Sequence, residues 1–346
     1  MKKPTIDDVA SLAGVSRTTV SRVLNSQPNV REAVRRKVFD AVAALGFQVN
    51  QQARNLAGRK ELRISLVHAS DFENEPNSYF SSALELGATR AAARLGVQLL
   101  IHAVNQTDPQ AGKVIAARIV SDDCDAVILT PPFADDARLL ALLDKLERRV
   151  LCIAAAPATA ELALTLGIDD RQAGYDIGRH LLAQGHRTFG YVGGLDGHIS
   201  AASRFDGFID ALAESGVEPA AVFRESGNFT FRSGIECGQK LLGGDHGISA
   251  LVCANDDMAA GALLAAHKLG LRIPEEIAIT GFDDTPVSQI VWPPLTTIHQ
   301  PLRAMGERAV ERLSTPIDEE AQASLREICA HHLIARESSV ASSVET

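Results

Sequence analysis

Thr5-Ile6-Asp7-Asp8-Val9-Ala10-Ser11-Leu12-Ala13-Gly14-Val15-Ser16-Arg17-Thr18-Thr19-Val20-Ser21-Arg22-Val23-Leu24-Asn25 reads as two short helices joined by a tight turn. Thr5 is placed to cap the first helix, with Asp8 three residues on in a capping-box arrangement. Ile6, Val9, Ala10 and Ala13 then recur at helical spacing, and Gly14 breaks the run. Ser16 is a second capping residue. It opens a helix with Val20, Val23 and Leu24 on one side and Arg17, Thr18, Ser21 and Arg22 on the other. This is the pattern of a helix-turn-helix. Small polar and Arg side chains on the second helix suit a major groove, where Arg bonds two acceptors of guanine and Thr meets a thymine methyl or a phosphate. A third helix over residues 31–45 is expected to bury Val34, Val38, Ala41, Val42 and Leu45, with Gly46 as its C-terminal cap. The bland alternative is a three-helix bundle with a solvated basic face.

The charge distribution supports a polyanion partner for this segment. The 346 residues carry 34 Lys and Arg against 43 Asp and Glu, a net charge of −9. Residues 1–60 hold 11 basic and 4 acidic side chains, net +7, which leaves −16 on residues 61–346. A basic module is thus joined to an acidic body with a different task. At 46% hydrophobic and 22% charged residues, the chain is neither disordered nor built to span a membrane. No apolar run reaches the roughly 18 residues of a transmembrane helix, and the N-terminus lacks the pattern of a signal peptide. Cys124, Cys152, Cys237, Cys253 and Cys329 are scattered without metal or redox spacing, which fits reduced thiols and a cytoplasmic location.

From Leu62 onward, apolar runs alternate with helical stretches. Strands are expected at 64–67, 97–101, 126–129, 150–153, 164–168, 189–192, 220–223, 250–253 and 277–279. Helices are expected at 81–95, 110–120, 171–183, 203–214, 231–242 and 258–269. Alternation of this kind predicts parallel sheets with helices on both faces. The size fits two doubly wound halves with a boundary near 157–163 and no clear sequence repeat between them. Ligands in such folds lie at the carboxyl ends of strands. Enzyme signatures for phosphate loops, zinc helices and nucleophile elbows are absent from the sequence, as is dinucleotide glycine spacing in Gly193-Gly194-x-x-Gly197. His331-His332 is a poor metal pair, since neighbours on a strand face opposite ways. No catalytic residue, metal or cofactor is therefore expected.

The stretch from Thr5 to Asn25 resembles the headpiece of the LacI/GalR family of bacterial transcription regulators. The resemblance implies base reading by Arg17, Thr18 and Arg22. It implies phosphate contacts by Thr5, Ser16, Thr19, Ser21 and Asn25. Phe47-Gln48-Val49-Asn50-Gln51-Gln52-Ala53-Arg54-Asn55-Leu56-Ala57-Gly58 is similar to the family's hinge helix, with Val49 in place of the usual proline. Asn50, Ala53 and Leu56 are its implied DNA contacts. In the family this helix folds only on the operator, and its leucine wedges into the minor groove and kinks the duplex.

Three further segments resemble the family: Ser203-Arg204-Phe205-Asp206-Gly207-Phe208, Cys253-Ala254-Asn255-Asp256-Asp257-Met258-Ala259-Ala260-Gly261, and Ile279-Thr280-Gly281-Phe282-Asp283-Asp284 with Pro293–Pro301 after it. They imply a periplasmic-binding-protein-like core with a ligand cleft. Arg204, Asn255 and Asp283 fall where sugar-binding members hold hydroxyls. Phe229 falls at an aromatic platform, and Phe72, Tyr79 and Phe80 follow the first strand where relatives contact ligand. Trp292 lies beside the last crossover.

The implied divisions are a headpiece at 1–47 and a hinge at 48–60. A first core half spans 61–160 plus 292–322, a second spans 161–291 plus 323–338, and a flexible tail spans 339–346. The tail lacks leucine heptads, so a homodimer is expected, matching the palindromic double-stranded operator that two headpieces read. The expected function is a repressor of carbohydrate genes controlled by a mono- or disaccharide. A nucleobase-type effector, a sugar-transport protein and an enzyme are the alternatives.

Overall fold

The computed structural model describes residues 4–24, 30–45, 61–70, 78–315 and 325–340. They form two compact units, up to Glu61 and from Leu62. In the first, α1 (Ile6–Ala13), α2 (Arg17–Leu24) and α3 (Glu32–Leu45) enclose Val9, Val20, Val23, Val38 and Ala41. Thr5 and Asp8 make the full capping box: the Thr5 backbone N–H donates to Asp8 Oδ2 at 2.7 Å, and the Asp8 N–H returns to Thr5 Oγ1 at 3.4 Å. Gly14 terminates α1 at φ 65°, where its missing Cβ removes the left-handed penalty. Val34, Val42 and Leu45, expected in the core, are half-buried. The hinge segment 48–60 lies outside the described residues.

The second unit contains two parallel sheets. The first is ordered β2 (Gln98–Asn105), β1 (Arg63–Ser70), β3 (Ala126–Leu129), β4 (Arg149–Ile153), β5 (Leu164–Gly167), β11 (Arg326–Ile328). The second is ordered β7 (Val222–Ser226), β6 (Phe189–Gly193), β8 (Ala250–Cys253), β9 (Ala278–Thr280). An antiparallel pair, β10 (Thr297–His299) with β12 (His332–Ile334), extends it through isolated bridges from Thr296 to Thr280 and from His299 to Asp283. Both sheets share one winding, since β2-β1-β3-β4 corresponds to β7-β6-β8-β9. On the first sheet, α4 (Tyr79–Leu95) and α12 (Leu302–Ser314) cover one face, and α5 (Ala111–Ser121) and α6 (Ala137–Lys145) the other. On the second, α7 (Asp170–Ala183) and α8 (Ile199–Glu214) cover one face, and α9 (Phe231–Leu242) and α10 (Asp256–Lys268) the other. A short α11 spans Val287–Ile290.

Strand pairing moves the expected internal boundaries. β5 pairs with β4 and β11 pairs with β5, so residues 164–167 and 326–328 belong to the first sheet rather than the second half. β10 belongs with the second sheet rather than the first half. β10, β11 and β12 have only three residues each, too few for periodicity to reveal, so the pairing and not the pattern assigns them. The expected β7 is displaced to 222–226 by a short 3-10 turn at Pro219–Ala221. The tail also starts later than expected. Ser338 and Ser339 are buried, with Ser338 Oγ donating to the Ile279 carbonyl at 2.6 Å and Ser339 Oγ within 2.6 Å of Thr296 Oγ1. Small hydroxyl side chains bury cheaply where each finds a partner. Residues 341–346 lie outside the described residues.

Three helix pairs approach through reciprocal glycines. A Cβ on Gly207 of α8 would run into the Arg171 carbonyl of α7, and one on Gly174 of α7 into the Arg204 carbonyl. Gly87 and Gly306 stand in the same relation across α4 and α12, as do Gly234 and Gly261 across α9 and α10. Backbone cannot yield as a side-chain tip can. Gly207→Ala is therefore expected to destabilise the core by about 1–3 kcal/mol, read as a lowered thermal midpoint. An unchanged midpoint would contradict the close approach.

Candidate functional sites in the headpiece and the core cleft

The headpiece presents one face of α2. Arg17, Thr18 and Arg22 are exposed, while Val20 and Val23 are buried against the bundle. The Ser16 hydroxyl accepts from the Thr19 N–H at 3.1 Å, which caps α2, and lies 2.8 Å from Thr19 Oγ1. Ser16 and Thr19 therefore fix the helix start that aims Arg17 and Thr18 outward. Ser21 is half-buried at the edge of this face. Arg17 Nε lies 3.9 Å from Asp7 Oδ1, with both side chains mostly in water, so the pairing holds Arg17 only weakly. Asn25, Asn50, Ala53 and Leu56 lie outside the described residues.

In the core, a cavity of about 210 Å³ lies where the strands of both sheets end. The first sheet contributes His68 and Ser70 from the end of β1, Thr130 after β3 and Ala154 after β4, with Tyr79 and Phe80 opening α4. The second contributes His198 after β6, Phe229 after β7, Asn255 after β8 and Asp283 after β9. Parallel strands all point their carboxyl ends the same way, so the loops leaving them converge. The expected residues Tyr79, Phe80, Arg204, Phe229, Asn255 and Asp283 are brought together here. Trp292 is not: it is 76% exposed on the loop after α11 and does not line the cavity. Phe72 lies outside the described residues.

Arg204 is buried on α8. Its Nε donates to Asp170 Oδ1 at 2.8 Å, its Nη1 donates to the Ala254 carbonyl at 2.9 Å, and its Cζ sits 3.7 Å from the Phe282 ring centroid. Burial pushes the Asp170 carboxyl upward, and the guanidinium opposes that shift. Nη2 makes no hydrogen bond to the described residues. Asp283 is 6% exposed, and its Oδ1 accepts from Gln300 Nε2 at 2.6 Å. Its second oxygen has no hydrogen-bond partner among the described residues. The site thus offers a fixed donor and a fixed acceptor at one wall, which suits hydroxyl groups.

Asn255 lines the cavity and is also hydrogen-bonded within the protein. Its Oδ1 accepts from the Met258 N–H at 3.0 Å and caps α10, and its Nδ2 donates to the Phe229 carbonyl at 2.9 Å. That bond holds Phe229, a bulky residue at φ 67°, in a conformation that side chains of this kind rarely adopt. The Phe229 ring packs 4.7 Å from His198, and a Cβ on Gly194 would overlap it. Gly194 therefore makes room for the ring. Burial, with Arg204 nearby, pushes His198 down to about 4, so its ring is neutral at pH 7.

His68, His198, Asn228 and Asp257 line the cavity but were not singled out by sequence motifs. The signal that finds them is position, because each lies at a strand end or opens the next helix.

Burial pushes the Asp283 carboxyl up to about 7; Arg204 and the Gln300 amide oppose it, and Asp257 and Asp170 add to it. The unfolded chain gives up this proton first. Stability attributable to Asp283 therefore falls as pH rises from the ordinary carboxylate range to about 7, and the loss is complete above that. Asp283→Asn removes a burden of up to about 4 kcal/mol. Its thermal midpoint is expected to exceed the parent's at pH 8, with the gap closing toward pH 4. A gap that does not change with pH would contradict this.

The pattern described as "Bacterial regulatory proteins, lacI family" matches residues 5–50, and that of a "Periplasmic binding protein-like domain" matches residues 179–339. The chain is 32% identical to the HTH-type transcriptional repressor PurR of Mannheimia succiniciproducens, over 89% of this chain and 90% of that protein. It is 33% identical to the HTH-type transcriptional regulator GalR of Escherichia coli, over 89% and 87%. Its structure is similar to that of the transcriptional regulator CelR in complex with cellobiose, with a TM-score of 0.72, 28% identity and coverage of 97% and 99%. It is equally similar to the lac repressor dimer bound to operator and the anti-inducer ONPF, with a TM-score of 0.72, 27% identity and coverage of 98% and 100%. The chain belongs to the LacI/GalR family of bacterial regulatory proteins: it is a DNA-binding transcriptional regulator with an effector-binding core.

Proposed function

We propose that the chain is a homodimeric repressor of carbohydrate-utilisation genes that releases or grips a palindromic operator according to the sugar in its core cleft. The observation that carries this reading is the wall where Arg204 and Asp283 present a donor and an acceptor beside the Phe229 ring. A pyranose needs both: hydroxyls for the polar pair and a C–H face for the ring. The CelR–cellobiose complex supports a sugar, and the operator-bound lac repressor dimer supports the assembly.

Arg17, Thr18 and Arg22 read bases, and Thr5, Ser16, Thr19, Ser21 and Asn25 contact phosphates. Asn50, Ala53 and Leu56 act from the hinge at 48–60. The effector touches strand ends of both sheets and so favours one orientation of the two halves. That orientation sets whether the two hinges meet on DNA, provided the ligand binds the two states unequally.

Arg22→Ala is expected to cost about 1–3 kcal/mol on the preferred operator and to leave salt-sensitive nonspecific binding in place. Selectivity that survives this change would remove Arg22 from base reading. Asp283→Ala is expected to abolish the effector response while sparing operator binding, as read by DNA mobility shift with and without ligand. A thermal-shift screen of mono- and disaccharides beside nucleobases identifies the effector by mass action. It also separates a sugar from a flat base, which the Phe229 and His198 rings could equally stack on.

A further inference from the structure

We propose that the core carries a binding site for a divalent transition-metal ion such as zinc, with His299 and His332 as its protein ligands. Both lie on the antiparallel ribbon of β10 and β12, where His299 stands directly opposite His332. Residues directly opposite each other project to the same side of a ribbon. Their neighbours Ile298 and Leu333 pack into the core of the second sheet, so alternation turns the two histidines away from it. The ring centroids are 4.7 Å apart, with the planes inclined at 35°. His331 is engaged elsewhere, with its Nε2 3.0 Å from Asp176 Oδ2. The pair formed across the strands, and not the pair adjacent in sequence, brings two imidazoles together.

The two rings are suited to different parts of the task. His299 Nδ1 lies 2.9 Å from Asp284 Oδ2. Asp284 is itself fixed, since Arg336 Nη2 donates to its Oδ1 at 2.6 Å and the Ser288 hydroxyl donates to the same oxygen at 3.3 Å. An ionised carboxylate only accepts, so Nδ1 carries the proton and the lone pair of the neutral ring is on Nε2. A carboxylate behind the far nitrogen is the usual support of a metal-bound histidine. His299 is thus a preset ligand. His332 is exposed and makes no hydrogen bond to the described residues, so its ring is free to turn. Metal–nitrogen bonds of about 2.0–2.1 Å at a tetrahedral angle put the two nitrogens roughly 3.3 Å apart. A turn of the His332 ring reaches that spacing from centroids 4.7 Å apart. Among the described residues no third His, Cys, Asp or Glu joins the pair, so water completes the coordination. Imidazole selects zinc, nickel or copper over magnesium and calcium. The chain leaves the second sheet after β10 and returns to it in β12, so a bound ion joins two passages between the sheets. It does so beside the cavity, because His299 bridges to Asp283 through the backbone.

The test titrates zinc chloride into the full-length protein, free of any histidine tag, by calorimetry and by competition with a chromophoric chelator. Saturable binding of a single zinc ion per chain is expected, and magnesium chloride is expected to bind far more weakly. His332→Ala is expected to weaken zinc binding by at least about tenfold, since loss of an outer partner alone costs about 10–100-fold. Its metal-free thermal midpoint should equal the parent's, because His332 is exposed and makes no hydrogen bond to the described residues. Zinc should raise the midpoint of the parent by mass action and leave that of His332→Ala nearly unmoved. His299→Gln, whose folding is checked by the same metal-free midpoint, should lose zinc affinity to a similar degree. In proton NMR the ring C–H resonances of both histidines, assigned by these two variants, should move together as zinc is added. Binding that does not saturate, magnesium bound as tightly as zinc, or an undiminished zinc affinity in His332→Ala overturns the assignment.

Discussion

The guanidinium of Arg204 is the point to which the cleft is tied. It reaches Asp170 at the start of α7, the Ala254 carbonyl leaving β8, and the face of Phe282 leaving β9. One side chain thus fixes three segments that the sequence delivers from places 34 to 78 residues away. No hydrophobic contact could set their positions so narrowly, because apolar burial is indifferent to direction whereas a planar fork of donors is not. Phe282 and the ion pair also keep water from the rear of the site. The energetic demand of burying the charge is met by Asp170, and the donor edge that remains is aimed by geometry rather than by chance.

That geometry depends on how closely α7 and α8 approach. Gly174 is the fifth residue of α7 and Gly207 the ninth of α8. Gly306 is the fifth residue of α12 and Gly87 the ninth of α4. The two helix pairs therefore use the same positions for the same backbone contact, each on the sheet that shares its winding with the other. In each pair one helix follows the first strand of its own sheet, and its partner arrives after a passage from the other sheet. A repeated structural unit is present although the aligned residues between glycines differ. What is duplicated is a backbone distance, and only glycine is required to keep it.

This explains which parts of the molecule were legible in the sequence. The capping residues Thr5 and Ser16 and the fully apolar β3 and β8 are local signals, and these elements lie where the signals put them. The three-residue strands β10, β11 and β12 carry no such signal. Their places follow from the three passages of the chain between the sheets, a property of the whole fold. The cleft was legible to the extent that its residues share motifs. Arg204, Phe229 and Asp283 were, whereas His198 and Asp257 become visible only once the strand ends are known to converge. Trp292 misled because proximity in sequence to a passage is not proximity to the cavity. Asn255 was located by its motif, but its amide is spent on the Met258 N–H and the Phe229 carbonyl. A residue at the wall of a cavity can thus shape it through hydrogen bonds made within the protein.

Gln300 shows how the cleft is joined to the rest of the core. It is 3% exposed, lies between β10 of the second sheet and α12 on the first, and its Nε2 donates to Asp283 while its Oε1 has no partner among the described residues. The carboxylate that lines the cavity is therefore hydrogen-bonded to one of the passages of the chain between the two sheets. Asp283 itself stands at φ 107°, a backbone conformation held by its surroundings rather than by preference. A ligand hydroxyl donating to the free oxygen of Asp283 draws charge from the oxygen that Gln300 holds. On the proposed reading it would change the strength of that bond at the passage, and not only the occupancy of the cavity. Coupling between a ligand and the two halves would then need no long chain of intermediates, because one buried hydrogen bond joins the cavity wall to the passage.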